Sequence, residues 1–220
     1  MQPHQLKTKI PHEVFDYQTL SDVLAEYKAP RDKITSLIKQ GVIIRVKKGL
    51  YVFGKEWRQH PYSLETLANL IYGPSYISLE YALQLYGFIP EQVHTVSSVT
   101  TGRSRHFSTP VGNFSYRKIS MFSFTAGMDV LPDAFGGSYM VAVPEKALVD
   151  KLQSERGLLI RSKLDIECYL VENLRMDIDD LSRLRVRRIE QYAAAYRSQK
   201  ARYLAGFIQQ IKKTKQSKRP

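Results

Sequence analysis

The side chains of this chain best suited to chemistry lie in two neighbouring runs, and their chemistry is recognition rather than bond making. Arg31, Lys33, Thr35, Ser36 and Lys39 fall in one short segment, and Arg45, Lys47 and Lys48 follow closely. A guanidinium can meet two acceptors on a guanine edge at once, hydroxyls donate or accept, and lysines meet phosphate oxygens. In duplex DNA the phosphate contacts position a protein and the base contacts specify the sequence. These eight side chains are therefore candidates for DNA binding.

The elements that must position them run from Asp16 to Gly54. Leu20, Val23 and Leu24 recur at helical spacing, with Asp16 or Thr19 as a cap and Ser21 and Asp22 in the first turn. Pro30 suits the first turn of a second helix. There Ile34, Leu37 and Ile38 form one apolar stripe, leaving the polar set to point elsewhere. Gly41 ends that helix. Val42, Ile43, Ile44 and Val46 have strand character, Lys47-Lys48-Gly49 is a turn, and Leu50 to Phe53 return. This order predicts a winged helix-turn-helix over residues 1–60, with the second helix in the major groove and the wing cations on phosphate. The competing reading is an ordinary α+β subdomain with a solvated, charged face.

A chain of 220 residues is longer than one such module, so a second domain is expected. The apolar fraction of 43% and the 14 tyrosines support packed cores. The net charge is +12 and the isoelectric point about 9.7, which favours a polyanionic partner. The charge is segregated: +5 over residues 1–62 (11 basic, 6 acidic), −2 over 63–155 (6 basic, 8 acidic) and +9 over 156–220 (16 basic, 7 acidic). Cys168, the only cysteine, excludes an internal disulfide and reads as a small buried filler. The N-terminal run MQPHQLKTKIPHEV has no apolar signal core and no window reaches transmembrane length, so a cytoplasmic protein without a membrane partner is expected.

Residues 61–213 read as a mixed α/β domain, and 214–220 as a disordered basic tail. Ser63 to Gly87 has the pattern of a helical pair, with Ser63 and Ser78 as caps and Gly73 and Gly87 as stops. From Val93 the period changes to two. Strands are predicted at His94–Thr101, Arg105–Ser108, Asn113–Ile119, Phe122–Phe124 and Tyr139–Val143, forming a small, mostly antiparallel sheet. Pro144 opens a helix with Ala147, Leu148 and Leu152 buried. Two further helices are predicted, Leu164–Leu174 and one long helix from Asp180 to about Lys213. Arg183, Arg187, Arg188, Arg197 and Arg202 form a possible second basic surface, or a solvated face beside a core stripe. The expected fold class is α+β: a winged helix-turn-helix, then a mixed α/β domain with a helical C-terminal end.

Catalytic constellations are weak. Asp129 or Asp133 followed by Glu145-Lys146 is loosely like a restriction-nuclease site, but Glu145 and Lys146 are adjacent at a helix start rather than spaced along a strand. Glu145 reads better as a helix N-terminal charge. His4, His12, His60, His94 and His106 show no metal-ligand spacing, Ser104 and His106 are isolated, and there is no glycine-rich phosphate loop. No metal, no cofactor and no enzymatic activity are expected.

Four stretches resemble a known family, the AbiEi-type antitoxins of type IV toxin–antitoxin (abortive infection) systems. They are the module ending in Gly49-Leu50-Tyr51-Val52; the run Tyr76-Ile77-Ser78-Leu79-Glu80-Tyr81-Ala82-Leu83 with Tyr86-Gly87; Val93-His94-Thr95-Val96 through Thr100-Thr101-Gly102-Arg103; and Val143-Pro144-Glu145-Lys146-Ala147-Leu148-Val149-Asp150. The resemblance spans residues 16–152 and does not extend residue by residue into the C-terminal helices. It implies a repressor that binds inverted repeats in its own promoter. It also implies an antitoxin that counters a nucleotidyltransferase-like toxin without a stable complex. The alternatives are a metal-dependent nuclease with a winged-helix arm and a non-enzymatic RNA- or protein-binding factor.

Overall fold

Short local signals start the N-terminal elements, and one sheet then ties them to everything that follows. The structure, a computed structural model, describes residues 2–217 as a mixed α+β chain. Helix α1 (Pro3–Lys9) and strand β1 (Val14–Asp16) come first. Neither was anticipated from the sequence. Asp16 then caps α2 (Tyr17–Val23), accepting a hydrogen bond from the Thr19 amide at 2.8 Å. Helix α3 (Pro30–Lys39) begins with proline at its first position. The hairpin β2 (Ile43–Lys47) and β3 (Leu50–Phe53) follows, turning at Gly49 with φ of +86°. The sheet order is β1-β3-β2, all antiparallel.

This three-stranded sheet is covered on both faces. Phe15, Ile43, Tyr51 and Phe53 join Leu6, Leu20, Leu24, Ile34 and Leu37 in a core with the three helices. Val46, Leu50 and Val52 belong instead to the core of the remaining chain, with Val14 and Ile44 packed against it. Alternation along β3 explains this, since successive side chains leave a strand on opposite sides. All four β3 residues are buried as a result.

The larger body is a six-stranded sheet with helices on both faces. Helix α4 (Leu64–Ile71), capped by Ser63, leads to the three-residue strand β4 (Ser75–Ile77) and helix α5 (Leu79–Leu85). Strands β5 (Thr95–Thr100), β6 (Arg105–Thr109) and β7 (Gly112–Lys118) follow, then the short helix α6 (Met121–Phe124), β8 (Met128–Pro132) and β9 (Ser138–Ala142). The strand order is β6-β7-β5-β4-β9-β8, parallel at β4·β9 and β5·β7 and antiparallel at the other pairings. Tyr116 reaches across one face to the Ala68 carbonyl of α4 (2.6 Å). On the other face lie α5 and α7 (Pro144–Ser154), and α7 is buried along most of its length.

Several expectations are corrected here. Phe122–Phe124, read as a strand, belongs to α6, because Ser120 accepts from the Ser123 amide and caps a helical turn. Strands β4 and β8 were not foreseen. The predicted long C-terminal helix is three: α9 (Ile178–Leu181), α10 (Val186–Tyr196) and α11 (Gln199–Ser217), after α8 (Lys163–Cys168) and a π-helical turn over Tyr169–Asn173. Arg197 enters the left-handed region (φ 50°) and ends α10, and Ser198 then accepts from the Ala201 amide at the start of α11. Residues 214–217, read as disordered tail, continue α11; residues 218–220 lie outside the described residues. Cys168 is exposed, not buried, and its thiol faces Glu172 at 3.2 Å.

Gly54 is required where the hairpin passes the end of α3. A Cβ there would lie 1.9 Å from the Gly41 carbonyl oxygen, a backbone atom that cannot swing aside. Gly54→Ala is expected to lower stability by about 1–3 kcal/mol, the usual cost of overpacking, as read by urea denaturation. An unchanged midpoint would contradict the close approach.

Candidate nucleic-acid interface

Helix α3 packs through Ile34 and Leu37, which fixes what its other side presents. Arg31, Thr35 and Lys39 are exposed and spaced by four residues, so they form one solvent-facing stripe. Thr35 donates its hydroxyl back to the Arg31 carbonyl at 3.0 Å, leaving its methyl and lone pairs outward. Ser36 is half-buried beside this stripe. Lys33 is half-buried too, its ammonium 5.5 Å from the centre of the Tyr27 ring. Gln40, absent from the eight sequence candidates, is exposed and donates to the Ser36 hydroxyl (3.3 Å). The signal was available, since Gln40 sits four residues beyond Ser36, and an amide side chain suits an adenine edge. Asp32 also lies on this side, in the first turn, where a carboxylate favours the helix start.

On the hairpin, Arg45 and Lys48 are exposed, but Lys47 is not part of that surface. Its ammonium donates to the Ile71 carbonyl, at the last turn of α4, where carbonyls lack helical partners. Burial there lowers its pKa. A register shift between Arg45 and Lys47 in the β2·β3 pairing accompanies this inward turn. Of the eight candidates, then, Arg31, Thr35, Lys39, Arg45 and Lys48 are exposed, Lys33 and Ser36 are half-covered, and Lys47 serves the contact between the two bodies.

The second basic set is dispersed. Arg183 pairs with Asp180 (2.7 Å) and lies over the Phe88 ring, and Arg188 stands 3.5 Å from Glu145. Arg202 reaches Gln199, and Arg197 is the left-handed residue after α10. Arg187 is exposed on α10. Two of the five are thus spent on carboxylates.

A second polar cluster went unseen in the sequence. Lys146 and Asp150 are four residues apart on α7, with side chains 1% and 0% exposed, and they form an ion pair. The Lys146 ammonium also donates to the Tyr76 hydroxyl (2.7 Å) and the Tyr196 hydroxyl (3.4 Å). Asp150 accepts from Tyr196 and, at 2.8 Å, from Ser78. Ser78, expected to cap α5, makes no cap hydrogen bond and spends its hydroxyl here. Burial, then the Asp150 charge, raises the pKa of Tyr76 and of Tyr196 far above the usual phenol range. Burial lowers that of Lys146, and Asp150 works against the shift. Three ammonium donors meet three acceptors, so the network is closed and works as a clamp between β4, α7 and α10.

The loose nuclease constellation is not assembled. One Glu145 oxygen accepts from the Arg185 amide (2.8 Å), and Lys146 is committed as above. Asp133 accepts from the Thr66 hydroxyl and from the amides of Phe135 and Gly137. Among the described residues no group of three or more His, Cys, Asp or Glu side chains is placed to hold a metal ion. Nor is any helix among them long and apolar enough to cross a membrane.

No protein-family model matches this chain, and no curated protein matches it.

Lys146→Met should cost about 3–5 kcal/mol in urea denaturation, because it strands a buried carboxylate. Adding Asp150→Leu should restore part of that loss, and an equal or larger loss in the double variant would contradict the clamp. The buried tyrosines give a pH dependence. Their folded-state pKa lies above the ordinary 10.0, so the folded chain keeps protons that the unfolded chain releases. Stability is full below about pH 10 and falls above it. Near-ultraviolet tyrosinate absorbance should show Tyr76 and Tyr196 ionising only as the chain unfolds; their titration in the folded protein would contradict their burial.

Proposed function

We propose that residues 1–60 are a winged helix-turn-helix that binds double-stranded promoter DNA at inverted repeats. On this reading the chain is a transcriptional autorepressor and the antitoxin of a type IV toxin–antitoxin system. It counters a nucleotidyltransferase-like toxin without a stable complex, in the cytoplasm, with no cofactor and no catalysis of its own. The observation that carries the DNA reading is the exposed ridge of Arg31, Thr35 and Lys39 on α3, with Arg45 and Lys48 exposed on the hairpin that follows. A helix held by one apolar face, its outer face polar and basic, suits insertion into the major groove. The +5 charge of residues 1–62 adds the non-specific attraction that such binding needs. Gln40 extends the base-reading set. The antitoxin role rests on the four family-like stretches. The nuclease alternative loses support from the commitment of Glu145, Lys146 and Asp133 to internal hydrogen bonds.

Fluorescence anisotropy with the chain's own promoter duplex over a salt series tests the reading. Lys48→Ala is expected to lower the slope of log affinity against log salt by about 0.9, one phosphate contact. Arg31→Ala is expected to cost about 1–3 kcal/mol and to relax sequence preference. Lys47→Ala should leave the slope unchanged. Equal binding of a scrambled duplex, or indifference to Arg31→Ala, Lys39→Ala and Lys48→Ala alike, would overturn the DNA reading. Co-expression with a neighbouring nucleotidyltransferase-like gene tests the rest: growth arrest relieved by this chain is expected, and unrelieved arrest contradicts the antitoxin role.

A further inference from the structure

The larger body holds a polar cleft that the reading above does not use. It lies between the sheet face of β5 and β7 and the helices α5 and α7, with a volume of about 380 Å³. Ser97, Ser115 and Arg117 line its sheet side, and Lys151, Ser154 and Arg156 its helix side. Register explains the sheet side, since Ser97 pairs with Ser115, and Arg117 follows Ser115 by two residues on the same face.

The charges in this cleft do not cancel. Lys151 binds Glu80 at 2.7 Å and also Glu155, a set that sums to −1, and Arg117 and Arg156 bring the lining to a net +1. Glu155 accepts a further hydrogen bond from Tyr169 (2.7 Å). Among the described residues, neither the Arg117 nor the Arg156 side chain has an ion pair or hydrogen bond. Ser97 donates its hydroxyl to the Ser78 carbonyl and Ser154 to the Lys151 carbonyl, so among the described residues the two guanidiniums share the cleft with one free hydroxyl, that of Ser115. The backbone beside them is strained: Leu79, another lining residue, has φ of 60°, a conformation that a branched side chain disfavours. A guanidinium offers a planar fork that matches phosphate oxygens two at a time, and the Ser115 hydroxyl can add one further donor. The polar lining disfavours an apolar ligand.

We propose that this cleft binds a small phosphate monoester, of nucleoside-monophosphate size, with Arg117 and Arg156 clamping the phosphate. This site is independent of the DNA-binding face.

Isothermal titration of the full chain with AMP, inorganic phosphate and adenosine tests it. Saturable binding of AMP is expected, with no binding of adenosine. Binding of inorganic phosphate alongside AMP assigns recognition to the phosphate itself; binding of AMP alone assigns it to the ester with its nucleoside. Arg117→Gln combined with Arg156→Gln should weaken AMP at least about tenfold, the scale of one lost charge-assisted contact, with thermal unfolding unchanged. If the double variant unfolds early, Arg117→Lys, which keeps charge but loses the fork, should still weaken AMP. Absence of saturable AMP binding, equal binding of adenosine, or AMP binding that survives these variants and is lost in Arg31→Ala with Lys48→Ala would overturn the proposal.

Discussion

Burial of the small β1-β3-β2 sheet on both faces is the constraint on which the rest depends. An isolated hairpin is marginally stable at best, and a third strand with an apolar face packed on helices is what steadies it. Here Tyr51 and Phe53 pack toward the helices while Leu50 and Val52 pack toward the larger body. The N-terminal unit is thereby anchored through its sheet, and the far side of α3 and the exposed positions of the hairpin stay in solvent. The anchoring also sorts the cations. Lys47 falls on the inner side and satisfies a helix-terminal carbonyl, while Lys48, one residue on, stays in solvent.

In the larger body the organising element is α7, buried on nearly every side. A helix so placed must answer any polar side chain it carries. Lys146 and Asp150 answer one another and enlist Tyr76, Ser78 and Tyr196 from distant parts of the chain. Such a network adds less net stability than apolar packing of equal volume, because both ions are taken from water. It does fix one arrangement, since any shift of α7 against β4 or α10 would leave a buried charge unmatched. The sheet of this body thus offers a firm wall to the cleft lined by Arg117 and Arg156.

The sequence revealed much of the N-terminal unit because its signals are local: the Asp16 cap, Pro30 at a helix start, the apolar spacing of Ile34 and Leu37, and Gly49 at the hairpin turn. It also placed α4, α5, β5, β7, β9 and α7 to within a few residues. What escaped depends on tertiary contact. Strand β4 has three residues and gains its identity only by lying between β5 and β9. Lys146 and Asp150 carry no local signal of burial, and only the elements packed around α7 enclose them. Lys47 and Lys48 are alike in sequence and are separated only by the second body beneath the hairpin. Cys168 among apolar neighbours reads as buried, yet it sits on the outer side of α8. Within the candidate interface, the residue types were legible, and which of them face solvent was not.

Differential amine acetylation with mass-spectrometric readout tests the central claim most directly, because it reports every lysine in one sample. Lys39 and Lys48 should react quickly in the free protein and Lys47 and Lys146 slowly. Addition of promoter duplex should then protect Lys39 and Lys48. Acetylation of Lys47 as fast as that of Lys48 would show that the sheet is not anchored as described, and unprotected Lys39 and Lys48 on bound duplex would remove the ridge from the interface.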